Sequence, residues 1–135
     1  MRESTEVLDA LLKFYDRLSA GDVGSFEDLV SSEDATLVIG TAPGEFVRER
    51  ERLRFGFEAE GLSLDPGEAP VGYEEGSMGW AIDEPTMNFP DGTSIKTRLT
   101  AIMRKEDSSW KLLHGHYSVG VPDEEVGDLQ KRWSG

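Results

Sequence analysis

Two hydrophobic periods divide this chain, and that division limits the fold more than any other feature. Up to about residue 60 the apolar residues recur at helical spacing. Beyond it they alternate, or run in β-branched stretches between tight turns. Helices followed by strands, without alternation of the two, indicate an α+β domain and argue against a parallel sheet of βαβ units. The first segment is the clearest. Val7, Leu8, Leu11, Leu12, Tyr15 and Leu18 make one apolar stripe, broadened by Phe14. Ser4 or Thr5 can cap its start, and Gly21 and Asp22 follow its last periodic residue. A short second helix is expected from Ser25, carrying Phe26, Leu29 and Val30, with Glu27 and Asp28 opposing the positive helix end.

Residues 36–39 read as a short strand ended by Gly40, and residues 45–60 as a third helix with Phe46, Leu53 and Phe57 on one face. Its arginines, Arg48, Arg50, Arg52 and Arg54, are interleaved with Glu49 and Glu51. Several lie three residues from a glutamate, so the run reads as a solvated helix face and not as an anion site. Leu62, Leu64 and Val71, broken by Pro66 and Pro70, suit an edge strand. Residues 77–89, 93–104 and 110–121 then form an antiparallel meander, turning at Pro90-Asp91-Gly92 and at residues 105–109. Residues 123–135 make a charged tail with one or two loose helical turns, so the domain is expected to span 1–122.

Composition narrows the function. Fourteen basic residues against 27 acidic give a net charge of −13, which repels phosphate backbones and anionic lipid. Neither a nucleic-acid nor a membrane partner is expected. No cysteine is present, so disulfides, thiol nucleophiles and cysteine-type zinc sites are excluded. The first residues open onto an amphipathic segment and not a signal core, and no apolar run approaches the ~20 residues of a membrane span. A soluble cytoplasmic protein is the expectation. Gly72, Gly76 and Gly79 are not followed by a helix, so they do not form a phosphate loop, and no serine sits in a nucleophile elbow. No cofactor is expected.

Helix, helix, strand, helix and then an antiparallel sheet resembles the NTF2-like superfamily, and more narrowly its SnoaL-like branch. The most telling stretch runs from Arg98 to Ser118: a basic hairpin turn, then Trp110-Lys111-Leu112-Leu113-His114-Gly115-His116-Tyr117-Ser118. It is similar to the last two strands of that family, and a similar ending occurs in the association domain of the calcium/calmodulin-dependent kinase. The resemblance implies a cone: a bent antiparallel sheet wrapped around three N-terminal helices, with a pocket inside and a homodimer through the outer sheet face. It implies no single activity, because the fold hosts isomerases, cyclases, dehydratases, epoxide hydrolases and non-enzymatic hubs.

Alternation puts Trp110, Leu112, His114, His116 and Ser118 on one side of the last strand, and Lys111, Leu113, Gly115, Tyr117 and Val119 on the other. The resemblance turns Leu113, Gly115 and Tyr117 into the pocket and the two histidines outward, an assignment that a bulge would partly reverse. Tyr15, Leu99, Ala101, Met103, Leu113 and Tyr117 are the expected pocket lining, and Trp80, Asp83 and His116 are further candidate ligand contacts. The two histidines, the only ones in the chain, share a strand face without a third ligand, so no metal site is assigned. Asp83 and Arg98 can meet on neighbouring strands. Tyr15 loosely matches the oxyanion-donating tyrosine of the steroid isomerases of this fold, but Val38-Ile39-Gly40-Thr41 lacks the carboxylate base that their chemistry needs. No catalytic residue is assigned. The residues leave two classes open. One is a domain that binds a small, largely apolar or neutral molecule, with or without acid–base catalysis. The other is a non-catalytic dimerisation or ligand-sensing module.

Overall fold

A computed structural model describes residues 1–22, 24–58 and 60–134. A two-residue strand, β1 (Arg2–Glu3), leads into α1 (Thr5–Ser19). The Ser4 hydroxyl caps α1 by accepting the Val7 amide at 3.1 Å, and Gly21 follows in the left-handed region at φ 67°. Next come α2 (Ser25–Leu29), β2 (Leu37–Ile39), β3 (Phe46–Val47) and α3 (Arg50–Glu58). The third helix thus starts five residues later than its arginine and glutamate spacing suggests. Gly40 donates its amide to the Glu45 carbonyl at 2.8 Å, and the Glu45 carboxylate accepts the Ala42 amide at 3.1 Å. That closed loop returns Phe46 and Val47 to pair with Ile39 and Val38 as a hairpin. Ala59, within the expected helix, and Gly135, within the expected tail, lie outside the described residues.

The remaining elements are β4 (Ser63–Asp65), β5 (Val71–Glu75), β6 (Met78–Asp83), β7 (Thr86–Asn88), β8 (Ser94–Lys96), β9 (Arg98–Glu106), β10 (Ser109–Ser118) and α4 (Asp123–Trp133). They form a curved seven-stranded sheet in the order β1-β5-β6-β9-β10-β2-β3 and a small sheet β4-β7-β8. The expected edge strand is therefore two strands in two sheets, because Pro66 and Pro70 interrupt the ladder between them. Pairing is antiparallel except between β10 and β2, which run parallel. No described helix is long and apolar enough to cross a membrane.

The stripe of α1 lies on the concave face. Val7, Leu11, Tyr15 and Leu18 pack with Ala81, Leu99, Ala101, Met103, Trp110 and Leu112 from the sheet. The helix comes this close because β5 and β6 carry glycine where it crosses. A Cβ on Gly72 would stand 2.8 Å from the Leu8 amide nitrogen, and one on Gly79 would stand 2.7 Å from a Val7 methyl.

The start of α1 is pinned to β5 by Glu74, a carboxylate only 8% exposed. It accepts Arg2 Nε at 2.7 Å and the Ser4 hydroxyl at 3.0 Å. These two donors, Arg2 first, hold the Glu74 carboxyl below the usual carboxylate range. A depressed folded-state pKa contributes stability above the unfolded value of about 4.3 and loses it as pH falls through the folded value. Glu74→Gln is expected to be less stable at pH 7 and to lose less stability on acidification. Urea midpoints from pH 7 down to pH 3 measure this, and parallel curves for the two proteins would contradict it.

Candidate functional site

Strand register brings three inward side chains into one row. Asp83 of β6 pairs with Leu99 of β9, and Leu99 pairs with Tyr117 of β10. Above the row, Tyr15 of α1 donates its hydroxyl to Asp83 Oδ2 at 3.0 Å, across 68 residues of sequence. Both Asp83 oxygens also accept the Gly67 amide at 3.1 Å, which ties the loop before β5 to the sheet. Tyr15 is 1% exposed and Asp83 6%. Burial, then the Asp83 carboxylate, pushes the Tyr15 phenol far above its ordinary range, so it stays protonated and its one proton is committed to Asp83.

Tyr117 is different. Burial alone raises its phenol, and no hydrogen bond from the described residues engages it. It faces a cavity of about 350 Å³. Leu11, Phe14 and Leu18 form one wall, Leu53 and Phe57 another, and Leu99, Ala101 and Gly115 the sheet floor. Gly56 of α3 also lines the cavity, and a Cβ there would meet nothing within 4 Å. A glycine inside a helix costs roughly 0.8–1 kcal/mol relative to alanine. Here it leaves space open. The polar lining is Thr41, Glu45, Arg52 and Tyr117. Glu45 is engaged with the Ala42 amide, and Arg52 pairs with Glu49 at 3.4 Å.

Leu99 also borders a second, polar recess of about 480 Å³ on the other side of the sheet. Asp83, Arg98, His116, Ser118, Lys96 and Glu84 contribute to it. Within the row, Leu99 lies between Asp83 and Tyr117.

Of the residues expected in a pocket, Leu99, Ala101 and Tyr117 line this cavity. Leu113 is corrected. The β9–β10 register slips between Leu112 and His114, so two residues of β10 face one step of β9. That extra residue reverses the alternation: Trp110 and Leu112 are buried inward before the slip, Gly115 and Tyr117 inward after it, and Leu113 leaves the cavity. Met103 is also corrected: it is core, 2% exposed, towards the far end of β9 and off the cavity. Trp80 stands on the convex face, stacked on Tyr73 at 4.7 Å, and does not reach the cavity. Tyr15 and Asp83 form the buried pair described above and lie outside the cavity lining. His116 lines the recess with Arg98, whose Nε donates to the Ser118 hydroxyl at 3.1 Å and not to Asp83. His114 donates Nδ1–H to the Leu37 carbonyl at 2.8 Å, joining β10 to β2. Among the described residues no cluster of His, Asp or Glu is arranged to hold a metal ion. Val38, Val47, Met87 and Phe89 of the lining were not anticipated. Val38, Val47 and Met87 sit on strands of two or three residues and Phe89 follows one, so no period marks an inward side.

A family profile described as the SnoaL-like domain matches residues 7–122. No curated protein matches the sequence. Among solved structures, an NTF2-like protein of unknown function from Pseudomonas putida superposes with a TM-score of 0.73 at 12% identity, covering 91% of this chain and 93% of that one. An uncharacterised protein with a cystatin-like fold from Caulobacter vibrioides gives 0.69 at 17% identity, covering 95% and 97%. The association domain of CaMKII from C. elegans gives 0.66 at 15% identity, covering 84% and 92%.

Proposed function

Because the chain belongs to the SnoaL-like family, we propose that its cavity binds a small, largely apolar, uncharged molecule that accepts a hydrogen bond from Tyr117. The observation that carries this reading is one uncommitted phenol facing an otherwise mostly apolar space. A cavity of about 350 Å³ is in the range that small-molecule sites occupy. Tyr117 is partly buried against the core, and a carbonyl, ether or hydroxyl oxygen on a ligand would accept from its hydroxyl within these apolar walls. A phenol that stays protonated acts as a donor, which suits a neutral acceptor. An ionic ligand would pay its own desolvation against the apolar walls.

Acid–base catalysis is the second reading, and the buried Tyr15–Asp83 pair beside Leu99 favours it. Binding is preferred because the pair's proton and oxygens are already engaged and neither residue lines the cavity. We also read the convex face as a self-association surface in a cytoplasmic homodimer. Met78 and Ile82 are 42% and 40% exposed there, beside Trp80 and Ile102, and such patches mark contact surfaces. The similar CaMKII domain is itself an association domain.

Nile red, an uncharged dye with a carbonyl acceptor, tests the cavity. Wild type is expected to bind it with a blue-shifted emission. Tyr117→Phe should weaken binding about fivefold, as one neutral hydrogen bond of about 1 kcal/mol requires. Gly56→Leu, which fills the space, should abolish it. Equal binding by wild type and Gly56→Leu would place the dye elsewhere and overturn the reading.

A further inference from the structure

The C-terminal helix is folded yet none of its residues is buried. Val126, Leu129 and Trp133 lie three and four residues apart and so share one face, and Trp133 is 74% exposed. A helix of 11 residues is too short to be stable alone in water, where roughly 12–15 residues are marginal even in alanine-rich sequences. Val126 and Leu129 are only partly covered and Trp133 stands open, an incompletely buried apolar stripe of the kind a docking helix presents.

The same chain carries a surface that fits this helix. On the convex face, Met1, Met78, Trp80, Thr100 and Ile102 line a shallow groove of about 430 Å³ with Glu75 at its edge. Charge points the same way. Arg104 is the register partner of Met78 and Lys111 the partner of Arg104, so two cations flank the groove on the same face, Arg104 also pairing with Glu33 at 2.8 Å. The helix holds four acidic residues, Asp123, Glu124, Glu125 and Asp128, against Lys131 and Arg132. An acidic amphipathic helix thus meets cations at the edge of this groove.

We propose that α4 of one chain docks in the convex groove of a second copy, with Trp133 seated against Met78 and Trp80, and that the exchange is reciprocal. A two-fold arrangement lets each chain give one helix and receive one. The inference rests on the reading of the chain as self-associating and says which segments join the copies. Residues 123–133 are then part of the interface and not a loose tail.

The absence of cysteine makes a direct test simple. Two full-length single-cysteine proteins, Trp133→Cys and Met78→Cys, are mixed and mildly oxidised. Trans docking yields a covalent dimer joining one chain of each kind, in excess over either homodimer. Failure to form that mixed dimer overturns the proposal. So does an intrachain bond without dimer when both cysteines are in one chain, because the helix then folds back on its own sheet. Sedimentation of full-length Leu129→Asp, altered on the apolar stripe of the helix, separates the two readings. A shift from dimer to monomer supports α4 exchange. A wild type that is itself monomeric sinks both readings, and a dimer that survives Leu129→Asp unchanged sinks only this one.

Discussion

Phe26→Ala is expected to lower the unfolding free energy by about 4 kcal/mol, within the range for burying and then deleting a phenylalanine ring. Phe26 is fully buried on the short helix α2. It meets the edge of Phe57 at 5.4 Å, and Phe57 meets Phe14 of α1 at 5.2 Å. Its outer face is covered by the Arg50 guanidinium at 4.4 Å and by Arg54 at 5.2 Å. Both arginines also pair with Glu27, one residue along α2. One ring therefore joins α1, α2 and α3, and its loss leaves a void while freeing two cations to solvent. Because α3 supplies Leu53, Gly56 and Phe57 to the cavity wall, Nile red affinity should fall with stability. Phe26→Leu, which refills much of the volume, should cost less than half as much. Urea unfolding measures both variants, and a loss under 1.5 kcal/mol for alanine would show that α2 does not anchor α3.

Asp83→Ala is the second large effect, with an expected loss of about 3 kcal/mol. The substitution strands two donors, the Tyr15 hydroxyl and the Gly67 amide, and each buried orphan costs roughly 1–3 kcal/mol. The electrostatic sign of the site matters less than this missing acceptor. Asp83→Asn keeps an oxygen in place and should lose only about 1 kcal/mol, the worth of one weakened hydrogen bond. The decisive measurement is a double-mutant cycle with Tyr15→Phe, which removes the orphaned hydroxyl. The double variant should be more stable than the two single losses added together, with a coupling of at least 1 kcal/mol. Strict additivity would mean that Tyr15 and Asp83 do not act as a pair.

Much of the architecture follows from short-range pattern. The stripe from Val7 to Leu18 specifies α1 because its apolar residues recur every three or four positions, and Ser4 caps it through a contact three residues away. The turn after Phe89 is marked by Pro90-Asp91-Gly92, with Gly92 in the left-handed region at φ 87°. The β2–β3 hairpin escaped because two residues carry no period, while the arginine-rich run beside it imitates a helix. The cavity wall was legible in part: the family resemblance orients the end of β10 so that Tyr117 turns inward, while alternation alone cannot place Leu113.

The sequence by itself determined the α+β class, the helix that fills the sheet, the acidic surface and the absence of thiol chemistry, because each depends on composition or on neighbours a few residues apart. Only the tertiary structure decided what the site is. A single-residue slip after Leu112 chooses which side chains of β10 enter the cavity, and period-two alternation cannot register one extra residue. The bond between Tyr15 and Asp83 joins residues 68 apart, so no local pattern encodes it. It commits one tyrosine, while Tyr117, which lines the cavity, has no hydrogen bond from the described residues.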